Sequence, residues 1–299
     1  MVEVADALPP ADRRSAFANA PMGIALTTPA GLLVDVNPAL SAMVGRAPEE
    51  LYGRSVMELV HPDAVPAAEE AHASLTADPD RPMRHETRLT RADRSDVPVQ
   101  ITASWVREAE EQAAHLVLIF EDITERKALE AQLVHRSLHD PLTGLPNRLL
   151  FQDRLRHALD RGHRENTPTC VLIIDLDGFK AINDELGHPM GDRVLVSFAE
   201  RLRSVLRASD TAARLGGDEF SIVCENTERP DAVALADRLR TTVTEPLDLD
   251  GIEVPVGISI GIGTVQGGQD PEQEYERAVR AADDDMYADK RRRRRARRR

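Results

Sequence analysis

No stretch narrows the possible folds of this chain more than Arg214-Leu215-Gly216-Gly217-Asp218-Glu219-Phe220. Ala213-Arg214-Leu215 leads in and Phe220-Ser221-Ile222-Val223-Cys224 leads out, so the pattern reads strand, tight turn, strand. Gly216 and Gly217 supply positive φ and leave no side chain between the backbone and anything bound at the turn. Asp218 and Glu219 then flank a surface open to a bulky ligand. Taken alone, the run fits an ordinary hairpin with a charged tip equally well.

Other stretches fill in the architecture. Thr169 to Asp175 is a nearly continuous apolar, β-branched run, as expected of a strand covered on both faces. Amphipathic helices are expected at Arg148 to Arg161, Asp192 to Ala208, Pro230 to Val243 and Pro271 to Lys290, and a strand at Val254 to Gly263. Upstream, Ile24 to Thr27 and Leu32 to Val36 flank an Ala30-Gly31 turn, and further strands are expected at His85 to Thr90, Val97 to Val106 and His115 to Glu121. From Ile123 to Leu138 the pattern turns helical, with Leu129 and Leu133 one turn apart and Thr124 as a cap. So narrow an apolar stripe suits a helix that pairs with its own copy, or a single linker helix. The order of helices and antiparallel strands gives an α+β fold class. Residues 1–14 are expected to be a disordered leader, 15–124 one domain, 125–139 a dimerising linker helix, 140–290 a second domain and 291–299 an Arg-rich tail.

Composition excludes several classes. No apolar run approaches the roughly 18 residues of a membrane span, and the N-terminus lacks the pattern of a signal peptide, so a cytoplasmic protein is expected. Cys170 and Cys224 are too few for a disulfide framework and read as small core residues. Net charge is −13, yet Lys290 to Arg299 carries nine positive charges, so the rest stands at −22. A body that acidic argues against general nucleic-acid binding, leaving only the tail as a segment that could touch RNA, DNA or anionic lipid.

Asp175 closes the buried strand, and chain reversal at Gly178 could bring it near the hairpin that holds Asp218. Two carboxylates and the Leu176 carbonyl make an all-oxygen set suited to Mg²⁺ (or Mn²⁺), an ion usually completed by water and substrate phosphate. Asp175 as a simple turn cap is the competing reading. Asn183 and Asp192 offer what a guanine edge needs, an amide that donates and accepts and a carboxylate that accepts from N1–H and N2–H₂. Either could equally be a cap. His188 reads as structural.

With these residues in order, 137–290 resembles the diguanylate cyclase domain named GGDEF. The resemblance also rests on His139 to Arg148 and on Met286-Tyr287 with Lys290. It implies a nucleotide-cyclase core of ferredoxin-like βαββαβ topology. It further implies that Asp175, Leu176 and Asp218 hold the metal and that Asn183 and Asp192 read guanine. Lys180, Lys290 and Arg294 would bind phosphates beside Gly216 and Gly217, while Asp218 or Glu219 helps deprotonate a 3′-hydroxyl. Two GTP molecules would be joined into cyclic di-GMP with loss of two pyrophosphates, between two copies facing one another. Arg207 and Asp210 stand at the spacing of the family's product-inhibition site, with Arg238 as a contact from a neighbouring domain. Two positions depart from the pattern, Asp285 and Asp289, where the family commonly has alanine. No phosphodiesterase-type segment is seen after residue 290. A GTP or cyclic di-GMP receptor without turnover is the alternative, although it would have no need to keep the metal carboxylate.

The front segment resembles a PAS sensor, an antiparallel sheet with flanking helices, on Phe17, Pro21 to Ile24, Val36 to Ala39, Gly45-Arg46, His61-Pro62 and Glu121 to Arg126. Its ligand is left open. With no cysteine in this segment, flavin–cysteinyl photochemistry is excluded. His61, His72 and His85 are formal haem-ligand candidates, read here as ordinary loop or strand histidines, and Trp105 reads as core.

Overall fold

The computed structural model describes residues 10–107, 114–249, 251–266 and 271–296. The chain divides into two compact units, Met1–Ala131 and Gln132–Arg299.

In the first unit, helix α1 (Pro10–Ala18) precedes strands β1 (Gly23–Thr27) and β2 (Leu33–Val36). Helices α2 (Pro38–Val44), α3 (Pro48–Leu51) and α4 (Val65–Ala77) lead to β3 (Met83–Thr90), β4 (Asp96–Arg107) and β5 (Ala114–Asp122). The strands form one antiparallel sheet in the order β2-β1-β5-β4-β3. Alternation decides its faces: in β1, Gly23, Ala25 and Thr27 are buried while Ile24 and Leu26 are half-exposed. Asn37, fully buried, accepts from Ile24 and Leu40 N–H and donates to the Phe17 and Met22 carbonyls. All its hydrogen-bonding capacity is spent on joining α1, β1 and α2, which removes the cost of burying an amide. Helix α1 begins at Pro10, within the stretch 1–14 expected to be a disordered leader; residues 1–9 lie outside the described residues.

Helix α5 (Thr124–Leu138) follows directly. Thr124 donates to Asp122 through its N–H (2.8 Å) and hydroxyl (2.5 Å), so Asp122 rather than Thr124 organises the start. Arg126 and Lys127 close on Glu86 of β3 at 2.8 and 2.7 Å, and these bonds hold the Glu86 carboxyl down at about 2. No residue of α5 is buried; Leu129, Leu133 and Val134 are all exposed.

The second unit contains α6 (Arg148–Glu165), β6 (Pro168–Asp177), α7 (Phe179–Leu186), α8 (His188–Val205), β7 (Thr211–Gly216), β8 (Glu219–Cys224) and α9 (Arg229–Thr244). A small hairpin, β9 (Leu247–Leu249) with β10 (Ile252–Val254), precedes β11 (Gly257–Gln266) and α10 (Pro271–Ala296). The main sheet runs β11-β6-β8-β7, every pair antiparallel. In chain order that is 4-1-3-2, the βαββαβ ferredoxin-like arrangement.

Strand β6 has both faces covered, and residue parity sorts them. Cys170, Leu172, Ile174 and Leu176 join a core with α8 and α9, while Val171 and Ile173 pack with α6 and α10. Cys170 and Cys224, register partners and fully buried, are free thiols whose ionisation burial pushes up. The expected strand at Val254 to Gly263 is in fact two, β10 and β11. The helix expected from Asp192 begins at His188, and α7 and α4 went unforeseen. Helix α10 continues past Lys290 through Ala296, into the segment 291–299 read as an Arg-rich tail, with 297–299 outside the described residues.

Candidate active site

Asp175 has the parity of Val171 and Ile173, which turns it toward α10. There Lys290 Nζ donates to both its oxygens, at 2.6 and 2.7 Å, and the carboxylate is 9% exposed. Burial pushes the Asp175 carboxyl up, Lys290 opposes, and the charges of Asp218 and Asp177 add to the upward push. Asp177 Oδ1 accepts from Ser259 Oγ on β11 at 2.7 Å, and its buried Oδ2 has no partner. The turn-cap reading of Asp175 therefore fails, because its oxygens serve a side chain and α7 is capped by Gly178 without a side-chain cap bond.

Glu219 is the direct register partner of Asp175 across β6 and β8. Asp218 occupies the turn, and its carbonyl accepts from Leu176 N–H at 3.2 Å, which draws the hairpin tip onto the end of β6. Gly216 and Gly217 have φ of 143° and 55°, with open space where a Cβ would stand. The turn is held by Arg214, whose Nε and Nη2 donate to the Gly217 carbonyl at 3.0 and 2.8 Å. Its Nη1 donates to Asp140 Oδ1 at 2.9 Å. Burial pushes the Asp140 carboxyl up, but hydrogen bonds from the Thr143 hydroxyl and N–H and from Arg214 outweigh it and leave it below the ordinary range. Arg148 adds a donor to the Leu215 carbonyl (3.3 Å) and lies 3.8 Å from Glu219. Sequence reasoning singles out Asp140, Arg148 and Arg214 without showing that they brace the turn; Asp140 and Arg214, 74 positions apart, meet only through the fold.

Asn183 on α7 lies with its side chain against the backbone of Gly191, the neighbour of Asp192 on α8, where a Cβ would stand 1.9 Å from Oδ1. Neither caps a helix, since Gly178 and Gly187 hold those positions, and Asp192 is exposed. Lys180 is exposed in the first turn of α7. Arg294 lies one turn beyond Lys290 within α10. The departures Asp285 and Asp289 have a structural role: their carboxylates accept from Ile262 and Ile260 N–H on the outer edge of β11, each at 3.1 Å. Asp289 is also bound by Arg240 and Arg293, at 3.0 and 3.1 Å.

Among the described residues no three His, Cys, Asp or Glu side chains form a complete metal cage. Two carboxylates with a backbone carbonyl still fit a hard divalent ion that keeps waters and takes phosphate oxygens. The unpartnered Asp177 Oδ2 marks the same region as polar and unsatisfied.

Away from this site, Arg207 and Asp210 share the turn between α8 and β7, where Arg207 N–H donates to Asp210 Oδ2 at 3.1 Å. They line a groove with Arg154, Arg203 and His139. Arg238 Nη2 donates to the Val205 carbonyl of the same unit at 3.4 Å. In the first unit, an apolar cavity is lined by His72, Met83, His85, Ile101 and Leu118, among others, and by fully buried Thr27, whose hydroxyl has no partner. His61 does not line it; its Nδ1 accepts from Asp63 N–H at 3.3 Å. Trp105 is half-buried against the core and donates to the Leu75 carbonyl at 3.1 Å.

A family model described as "Diguanylate cyclase, GGDEF domain" matches residues 137–296, and one described as "PAS domain" matches 21–125. The bifunctional diguanylate cyclase/cyclic di-GMP phosphodiesterase MucR of Pseudomonas aeruginosa is 46% identical over 136 residues, 46% of this chain and 20% of that protein. An uncharacterized signaling protein of Caulobacter vibrioides is 34% identical over 258 residues, 84% of this chain and 30% of that one. This chain thus spans a fifth to a third of these relatives. A crystal structure of the coiled coil and GGDEF domain of DgcB from Caulobacter crescentus, in complex with c-di-GMP, superposes with a TM-score of 0.50 at 29% identity. That superposition covers 56% of this chain and 87% of the other.

Proposed function

Because this chain belongs to the family of GGDEF-domain proteins described as diguanylate cyclases, we propose that two copies of it condense two GTP molecules into cyclic di-GMP. The observation that carries the reading is one sheet end where Asp175 and Glu219 are register partners, Asp218 sits in a bare glycine turn, and Lys290 approaches from α10. Asp175, Asp218 and the Leu176 carbonyl would hold Mg²⁺ or Mn²⁺, which when bound would neutralise triphosphate charge and polarise the reacting phosphate. Asn183 and Asp192 grip the guanine edge, while Lys180, Lys290 and Arg294 take up phosphate charge. Asp218 or Glu219 accepts the proton of the 3′-hydroxyl as it attacks the α-phosphorus of the opposing GTP, and pyrophosphate departs. Positioning and charge neutralisation then supply most of the rate.

Cyclic di-GMP needs two bonds between two different nucleotides, and one half-site holds only one GTP, so each copy supplies half of a twofold site. The exposed Leu129, Leu133 and Val134 of α5 support self-pairing of that helix. The PAS unit would bias the pairing, with its apolar cavity as the input. Arg207 and Asp210, with Arg238, would bind product and inhibit. No helix among the described residues is long and apolar enough to cross a membrane.

The test is GTP turnover with Mg²⁺, products resolved chromatographically, for the parent, Asp218→Ala and Glu219→Ala. Cyclic di-GMP and pyrophosphate from the parent alone are expected. GTP binding without product at concentrations that force dimerisation would favour the receptor reading.

A further inference from the structure

We propose that Lys290 is the resident counter-ion of Asp175 and must leave it before a divalent ion can bind, so that metal and triphosphate enter cooperatively. The inference rests on the cyclase reading of this site. A carboxylate as buried as Asp175 needs a cation or strong donors. Lys290 supplies both, bonding to the two oxygens at 2.6 and 2.7 Å. The other polar side chains around Asp175 cannot take over this role, because Asp218 and Asp177 are like charges and Ser259 is committed to Asp177.

A divalent ion bound to Asp175 would sit about 2.1 Å from one oxygen. An ammonium still bonded there would then lie within roughly 4 Å of a double positive charge, against a carboxylate only 9% exposed. Occupancy is therefore exclusive. The flexible four-carbon stem of Lys290 lets it swing away. A metal entering alone leaves that ammonium without an anion, whereas a metal entering with a triphosphate gives it one. The same side chain thus opposes the bare metal and favours the metal–nucleotide pair, a coupling between two ligands that is reciprocal by thermodynamic necessity.

The experiment is Mn²⁺ binding to the full chain at pH 8, read by electron paramagnetic resonance of the free ion. It is run with and without a non-hydrolysable GTP analogue, for the parent, Lys290→Met and Lys290→Gln. Without nucleotide, both variants should bind Mn²⁺ at least about tenfold more tightly than the parent, since a charge-assisted competitor is gone. With the analogue the order should reverse, and the enhancement of Mn²⁺ affinity by nucleotide should shrink by about tenfold or more. Equal or weaker Mn²⁺ binding by folded Lys290→Gln in the absence of nucleotide overturns the inference. In the parent, an analogue that leaves Mn²⁺ affinity unchanged overturns it too. Asp218→Asn separates the levels: if it binds Mn²⁺ like the parent, the metal assignment itself fails, whatever Lys290 does.

Discussion

Adding one methyl group at Gly261 should unseat the helix that carries Lys290. A Cβ there would lie 2.0 Å from the Ala282 carbonyl oxygen and 2.1 Å from the Met286 nitrogen, both backbone atoms of α10. Real Cβ atoms essentially never approach closer than 3.0 Å, so α10 must retreat by at least 1.0 Å. The 3.1 Å bonds from Ile260 and Ile262 N–H to Asp289 and Asp285 would then stretch beyond bonding distance. Each is a hydrogen bond to a charged group, worth about 1.5–3 kcal/mol. Overpacking adds about 1–3 kcal/mol. Allowing for partial relaxation, Gly261→Ala should cost about 4 kcal/mol, a large share of the roughly 5–15 kcal/mol that holds a domain together. Calorimetry should show the second unit melting about 10 °C lower. The control is Gly178→Ala, where φ is +81° but nothing lies within 4 Å of the added carbon. It should cost only about 1–2 kcal/mol of backbone strain. A Gly261→Ala protein melting within a degree of the parent would refute the account of how α10 meets β11.

Other outcomes follow from the same contacts. Arg214→Ala frees the Gly217 carbonyl and Asp140, so turnover should fall about a hundredfold through misplacement of Asp218 and Glu219; steady-state kinetics within twofold of the parent would contradict this. Asp140 and Asp289 have carboxyls held below their ordinary value, so their stabilisation is present above the unfolded value of 3.8 and lost as pH falls through the folded ones. Asp175, pushed up, acts in the opposite sense. Denaturant titrations of Asp289→Asn should accordingly show a weaker loss of stability between pH 5 and acid than the parent; identical slopes would remove Asp289 from the account. Arg207→Ala should relieve inhibition by cyclic di-GMP with little change in initial rate, and an unaltered inhibition constant would rule that groove out.

The main elements were legible where periodicity is strong. Strand β6 could be read because both its faces are apolar, and the Gly216-Gly217 turn because few other residues tolerate such backbone angles. The candidate site residues could be named because they cluster in short runs. Their partners could not, since spacing says nothing about Lys290 closing on Asp175 across 115 positions, or Arg214 on Asp140 across 74. Asp285 and Asp289 read only as departures from the pattern in the helix expected to bind phosphate, because the open edge of β11 has no sequence signature. Helix α7 was missed because its eight residues hold no buried side chain. The extension of α10 into the arginines was missed because a run of like charge reads as solvated chain, although Asp289 anchors Arg292 and Arg293 there.

The central claim is that each copy supplies half of one reaction. The most direct measurement holds total protein fixed, replaces part of the parent by Asp218→Ala, allows the copies to exchange, and follows cyclic di-GMP formation. In a mixed pair only the intact half-site can act, so one bond can form and the ring cannot close. Product should therefore follow the square of the parent fraction, about a quarter of the full rate in an equal mixture. A linear dependence, with half the rate remaining, would show that one copy completes the reaction alone and would contradict the account.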